Sequence, residues 1–123
     1  MSQKIIAVDY DGTLCENAYP DIGDPKYDVI NYIIEEKAKG SKIILWTCRT
    51  DQYLENALEW CRQYGIEFDA VNDNIQEIKD KYQNCSRKIF ANIYIDDKSI
   101  HPLYLKKGFK EAIRKIYNML INW

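Results

Sequence analysis

The sequence is poor in most of the residues that mark a special class of protein. It has one histidine, His101, in 123 residues. Without partner histidines or a C-x-x-C pair, Cys15, Cys48, Cys61 and Cys85 do not form a zinc pattern. A disulfide framework is disfavoured too, because a chain of this length builds a core of its own; the thiols are expected to stay reduced and to act mainly as small apolar residues. Glycine and proline are scarce, five and three residues, which argues against a fibrous, disordered or linker-rich chain. Neither charge dominates: 17 basic residues face 19 acidic ones and are spread along the chain, so nucleic acid is not indicated as a partner. No apolar run approaches membrane-spanning length, and the N-terminus lacks the pattern of a secretory leader. The expectation is a cytoplasmic protein with no membrane contact, and a single domain over residues 1–123.

What is present is alternation. KIIAV (4–8) and KIILW (42–46) are short, β-branched, apolar runs of the kind that form buried strands; IEFDAV (66–71) and ANIYI (91–95) are weaker versions. Between the first two, Val29, Ile30, Ile33, Ile34 and Ala38 have helical spacing after Pro25, and Gly40 stands where the helix would end. Asp51 is placed to cap a second helix through Leu54, Ala57, Leu58 and Cys61, closed by Gly65. A short polar helix is expected around 75–83. A last one carries Phe109, Ile113, Ile116, Tyr117 and Leu120 as a core-packing stripe. Strand and helix taking turns four times predicts an α/β fold: a doubly wound, Rossmann-like parallel sheet with helices on both faces, in three layers.

In such folds chemistry gathers beyond the carboxyl ends of the strands, where the strand order reverses. The strand ends supply Asp9 and Asp11, then Thr47 and Arg49, then Asn72 to Asn74, then Asp96 and Asp97. If the first and fourth strands are neighbours, Asp9, Asp11, Asp96 and Asp97 converge, and carboxylates at that range need a counter-charge. A hard divalent cation, Mg²⁺, suits such a set with a backbone carbonyl and waters, the carbonyl coming from Tyr10 or Asp11. Metal and acids together suggest phosphoryl transfer: one aspartate as nucleophile, and the other, two residues on, moving protons. Gly12 allows a sharp turn and Thr13 can brace it.

VDYDGTL (8–14) resembles the first motif of the haloacid dehalogenase (HAD) superfamily of phosphotransferases. ILWTCR (44–49) resembles its second motif and IYIDD (93–97) its fourth, in the same order and at corresponding strand ends. The resemblance implies a HAD-like core with Asp9 as nucleophile and Asp11 as general acid/base. It also implies Thr47 and a lysine on the phosphoryl oxygens, and Asp96 with Asp97 on Mg²⁺. Lys88, eight residues before Asp96, matches the lysine of small capless members; Lys79 and Lys81 are the alternatives. The implied activity is that of a Mg²⁺-dependent phosphatase, hydrolysing a phosphomonoester through an aspartyl phosphate. Residues 14–25 have room for a short flap only and 50–87 are filled by a strand and two helices, so no cap domain is expected, and the substrate can be bulky.

Around these residues several roles stay open. Arg49 either grips a substrate anion or makes a structural ion pair with a loop acid. Asn72 faces the substrate or serves the turn, and Tyr19, with Glu16 and Asn17, lies on the flap. Cys48 beside Thr47 is expected to be buried and inert. The tyrosines and Trp123 leave room for a homo-oligomer. Two other functions use the same residue types. A receiver-like phospho-signalling domain would carry its acid pair on a different strand from the phosphoacceptor. A Mg²⁺-dependent nuclease fits the neutral charge balance less well.

Overall fold

Each apolar run becomes a strand of one parallel sheet. The computed structural model describes residues 4–105 and 109–121, which places Trp123 outside the described residues. The elements in chain order are β1 (Ile5–Val8), α1 (Tyr27–Ala38), β2 (Lys42–Leu45), α2 (Asp51–Gln63), β3 (Ala70–Val71), α3 (Gln76–Lys81), β4 (Ile93–Ile95), a 3₁₀ turn (Pro102–Leu105) and α4 (Phe109–Ile121). The strand order is β3-β2-β1-β4, all neighbours parallel, so the order reverses at β1 as a doubly wound Rossmann-like fold requires. Among the described residues no helix is long and apolar enough to cross a membrane.

Side chains alternate across the sheet, and the two faces bury different sets. Ile6, Val8, Ile43 and Leu45 pack with Ile30 and Ile33 of α1 and with Ala57 and Cys61 of α2. Ile5, Ala7 and Ile44 point to the other face, where they meet Ile75 and Ile89. This double burial is why β1 and β2 read as unbroken apolar runs.

Both long helices of the first face end in the same way. Gly40 (φ +96) and Gly65 (φ +82) take the left-handed conformation. The next N–H reaches back to the third-last helical carbonyl, Ser41 to Glu36 and Ile66 to Cys61. This is a Schellman closure, and only glycine adopts its angle without strain.

Four expectations are corrected. The third strand is two residues long instead of 66–71. Ile66 is consumed by the closure of α2 and sinks into the core, while Asp69 uses its carboxylate, not its backbone alone, to pair with the Ile43 N–H at 2.8 Å. The fourth strand starts at Ile93, because the Asn92 side chain takes the Ile5 N–H at 2.8 Å. Asp51 does not cap α2: Thr50 holds the cap position without a side-chain bond, and Asp51 is the first helical residue, at φ +49. Ile34 of α1 points outward, 38% exposed.

Candidate active site

The sheet register builds the site. The last paired rows are Val8 with Leu45, Val8 with Ile95, and Leu45 with Val71. One residue further on, a second row crosses the carboxyl edge: Asn72, Trp46, Asp9 and Asp96. Backbone bonds carry the ladder into it, from Asp9 N–H to Ile95 C=O, Trp46 N–H to Val8 C=O and Asn72 N–H to Leu45 C=O, at 2.8–2.9 Å. These four residues, with Thr47 and Cys48, line a cavity of about 430 Å³.

Asp9, Asp96 and Asp97 each bring a carboxylate oxygen within 4.8 Å of the others. Thr13 ties the cluster together, its hydroxyl donating to Asp9 Oδ2 (3.2 Å) and accepting from the Asp97 N–H (3.1 Å). Asp96 in turn accepts the Lys98 N–H at 2.9 Å, and Lys98 Nζ stands 3.7 Å from Asp97. Gly12, at φ +88, lets the chain pass beneath Asp97; a Cβ there would lie 2.8 Å from the Asp97 Cγ. Burial, and next the charge of Asp96, push the Asp9 carboxyl up to about 6. Burial is the larger part of this cost and the neighbouring acid the lesser, and a hard divalent cation would favour the charged carboxylate against both. Three carboxylates on one edge are a donor set that fits Mg²⁺.

Asp11 is not part of this cluster, contrary to the expected convergence of four acids. Its carboxylate turns under the flap to Arg49, with both oxygens engaged at 2.8 Å. The Tyr10 carbonyl is also withdrawn from the metal: it accepts the N–H groups of Thr13, Leu14 and Cys15 within the turn. Of the two carbonyls considered, that of Asp11 remains.

Arg49 is fully buried and serves structure. Beyond Asp11, its guanidinium donates to the carbonyls of Pro20, Asp21 and Tyr53, and it lies between the rings of Tyr10 and Tyr19 at 5.0 and 5.1 Å. All five N–H groups are thus placed, which leaves none for a substrate. Tyr19 is half exposed, and its ring rests on Arg49 and against Tyr53. The flap, residues 16–24, is a closed loop pinned at its neck by Glu16 N–H to Asp24 C=O and Lys26 N–H to Leu14 C=O, with a cis Tyr19–Pro20 bond.

Thr47 lines the cavity. Its N–H donates to the Asn72 side chain (2.7 Å), and its hydroxyl accepts the Arg49 N–H (3.1 Å). Asn72 therefore does both things considered for it: at φ +53 it turns the chain, and it also forms cavity wall.

None of the three candidate lysines reaches Asp9. Lys88 Nζ sits over the Tyr94 ring at 5.6 Å, in a cleft on the second face of the sheet. Lys79 pairs with Asp73, and Lys81 lies 5.4 Å over Tyr82. Lys88 shares that cleft with Trp46 and Asp96 of the edge row, but its ammonium is directed to the Tyr94 ring and makes no ion pair with Asp9.

Two cavity residues escaped sequence reasoning. Trp46 reads as the last residue of a strand, yet the register places it in the edge row. Cys48 is exposed and lines the cavity; it is not buried. Its neighbour Thr47 was the available signal.

No family model matches the chain, and no curated protein matches it. Among solved structures it is similar to a conserved protein from Bacteroides thetaiotaomicron, with a TM-score of 0.71 and 33% identity over 90% of this chain and 93% of that one.

Proposed function

This chain belongs to the same family as that conserved Bacteroides thetaiotaomicron protein, and from the site it carries we propose that it is a Mg²⁺-dependent phosphomonoesterase of the HAD type. The observation that carries the reading is the grouping of Asp9, Asp96 and Asp97 within 4.8 Å at the end of two adjoining parallel strands. The hydroxyl-bearing Thr47 stands on the same cavity wall. The motif resemblance supports the same assignment.

Asp9, Asp96 and Asp97, with the Asp11 carbonyl, would hold the cation. Bound there, it would neutralise the oxygens of the transferring phosphoryl group. Asp9 attacks phosphorus, the bond from phosphorus to the ester oxygen breaks, and the departing oxygen takes its proton from solvent water, or from Asp11 once its pair with Arg49 has opened. Water then attacks the aspartyl phosphate, freeing inorganic phosphate and restoring the carboxylate. Thr13 orients Asp9 for attack through its 3.2 Å bond to Oδ2. Thr47 offers its hydroxyl to a phosphoryl oxygen. Asp11 anchors the flap, and proton transfer by it belongs to a conformation in which the pair with Arg49 has opened.

The test is turnover of an aryl phosphate with and without Mg²⁺, for the native chain and Asp9→Asn. We expect Mg²⁺-dependent hydrolysis that Asp9→Asn abolishes while the circular dichroism spectrum stays native. Activity retained by Asp9→Asn, or no turnover of any phosphomonoester by the native chain, sinks the reading.

A further inference from the structure

The edge row that holds the proposed nucleophile also holds a residue with no assigned work. Val8 pairs with Leu45, so Trp46 follows beside Asp9, one strand spacing or about 4.8 Å away across the backbone. Trp46 remains 37% exposed. Among the described residues its ring meets no other aromatic ring, and its indole N–H makes no hydrogen bond. Trp60, by contrast, is packed against Tyr10 and Tyr64 at the core. Bare apolar ring surface is unfavourable in water, and an indole stacks well on another flat ring.

The rest of the cavity wall decides what that ring can belong to. Asp9 and Asp96 belong to the acid cluster, and Thr47 has its hydroxyl for a phosphoryl oxygen. Asn72 spends its side-chain oxygen on the Thr47 N–H and keeps its NH₂ group. No lysine, arginine or histidine is among the described residues that line the cavity. The cations nearby are engaged or stand outside it. Arg49 is buried with its N–H groups placed, Lys98 stands against Asp97, and Lys88 and His101 line the adjoining cleft. What is left for the alcohol half of an ester is the Trp46 ring, the Cys48 thiol and the Asn72 NH₂ group. A second anionic group on that half would find no counter-charge there. The volume, about 430 Å³, is that of a small-ligand site, for which the range begins at roughly 300 Å³.

We propose that Trp46 is the platform for the leaving group, and that the substrate is a phosphomonoester whose alcohol half is uncharged and carries a flat aromatic ring close to the ester oxygen. This rests on the phosphomonoesterase reading and narrows its substrate class. With the phosphoryl group at Asp9, the ring of the departing half stacks on the indole, which holds the ester oxygen in place for departure. Trp46 is a positioning residue and takes no part in making or breaking bonds.

Three esters separate the contributions. Benzyl phosphate and cyclohexylmethyl phosphate are alike in size and in leaving alcohol but differ in flatness, and para-carboxybenzyl phosphate adds a charge to the flat ring. With Mg²⁺, kcat/KM should be about fivefold higher for the benzyl than for the cyclohexylmethyl ester, and lower for the carboxylated ester than for the benzyl one. Trp46→Leu should erase the first ratio, chiefly through KM, and Trp46→Tyr should restore most of it. Equal values for the flat and puckered esters, or a ratio that survives Trp46→Leu, overturn the platform while the phosphatase reading stands. A preferred carboxylated ester overturns the uncharged class. A second measurement is independent of turnover: by calorimetry, phenethylphosphonate should bind about fivefold more tightly than cyclohexylethylphosphonate, and equally in Trp46→Leu. If no ester is hydrolysed, the reaction falls and these dissociation constants decide the platform alone. A difference that depends on Trp46 supports it; equal or unmeasurable binding overturns it.

Discussion

Arg49 holds Asp11 in a two-pronged ion pair, Nε to Oδ2 and Nη2 to Oδ1, each 2.8 Å long. The pair joins the first turn after β1 to the loop after β2, and the same guanidinium fastens the flap through Pro20 and Asp21. Removing one member strands a buried charge. Arg49→Met should therefore destabilise the fold by about 3–5 kcal/mol and expose the flap to proteolysis between residues 16 and 24. Urea unfolding and limited digestion measure the two effects. A variant as stable and as resistant as the native chain would mean that the pair does not hold the flap.

The raised Asp9 pKa sets a pH dependence whose sign is definite. A carboxyl lifted from 3.8 to about 6 keeps its proton in the folded state over a range where the unfolded chain releases it. In the absence of metal, that contribution is full below the unfolded value and is lost as pH rises through about 6. A cation competes with the same proton, so Mg²⁺ should raise the melting temperature more at pH 7.5 than at pH 5. Asp9→Asn should remove most of this difference. An equal Mg²⁺ effect at both values would contradict it.

Gly12 is constrained by its angle and by its neighbour. Gly12→Ala places a side chain at φ +88 and against the Asp97 carboxylate. The strained backbone should cost about 1–3 kcal/mol. Displacement of Asp97 should also weaken Mg²⁺ binding. Titration calorimetry with Mg²⁺ reads the second effect, and native affinity in a folded Gly12→Ala protein would show that Asp97 is not a ligand.

Glu36 provides a control at the opposite edge of the sheet. It is buried and accepts from Lys4 (2.9 Å), Lys39 (3.3 Å) and Ser41 (3.2 Å). These partners, Lys4 first, hold its carboxyl below the usual value of 4.5. Its stabilisation is therefore present above that pH and lost as pH falls through the folded value. Glu36→Gln should lower stability at neutral pH and flatten the acid limb of the stability curve, with Mg²⁺ affinity unchanged. A change in Mg²⁺ affinity would show that the two edges are coupled.

The amino-acid sequence by itself determined the layered α/β architecture and the edge on which to look for chemistry. Both follow from local rules. β1 and β2 are apolar without interruption because both their faces are buried, and Gly40 and Gly65 mark helix ends because few other residues take that angle. Asp9, Thr47 and Asp96 were legible for the same reason, each standing just after an apolar run. Long-range geometry had no such signature. Whether Asp11 joins the acid cluster or turns to Arg49 depends on side-chain direction after a turn, and two residues of spacing do not set that direction. Lys88 rests its ammonium over the Tyr94 ring and does not pair with Asp9, a choice of partner that no periodicity reveals. Only the register of three strand pairs brought Asn72, Trp46, Asp9 and Asp96 into one row, since hydrogen bonds between strands distant in sequence, and not the strands themselves, fix which residues become neighbours.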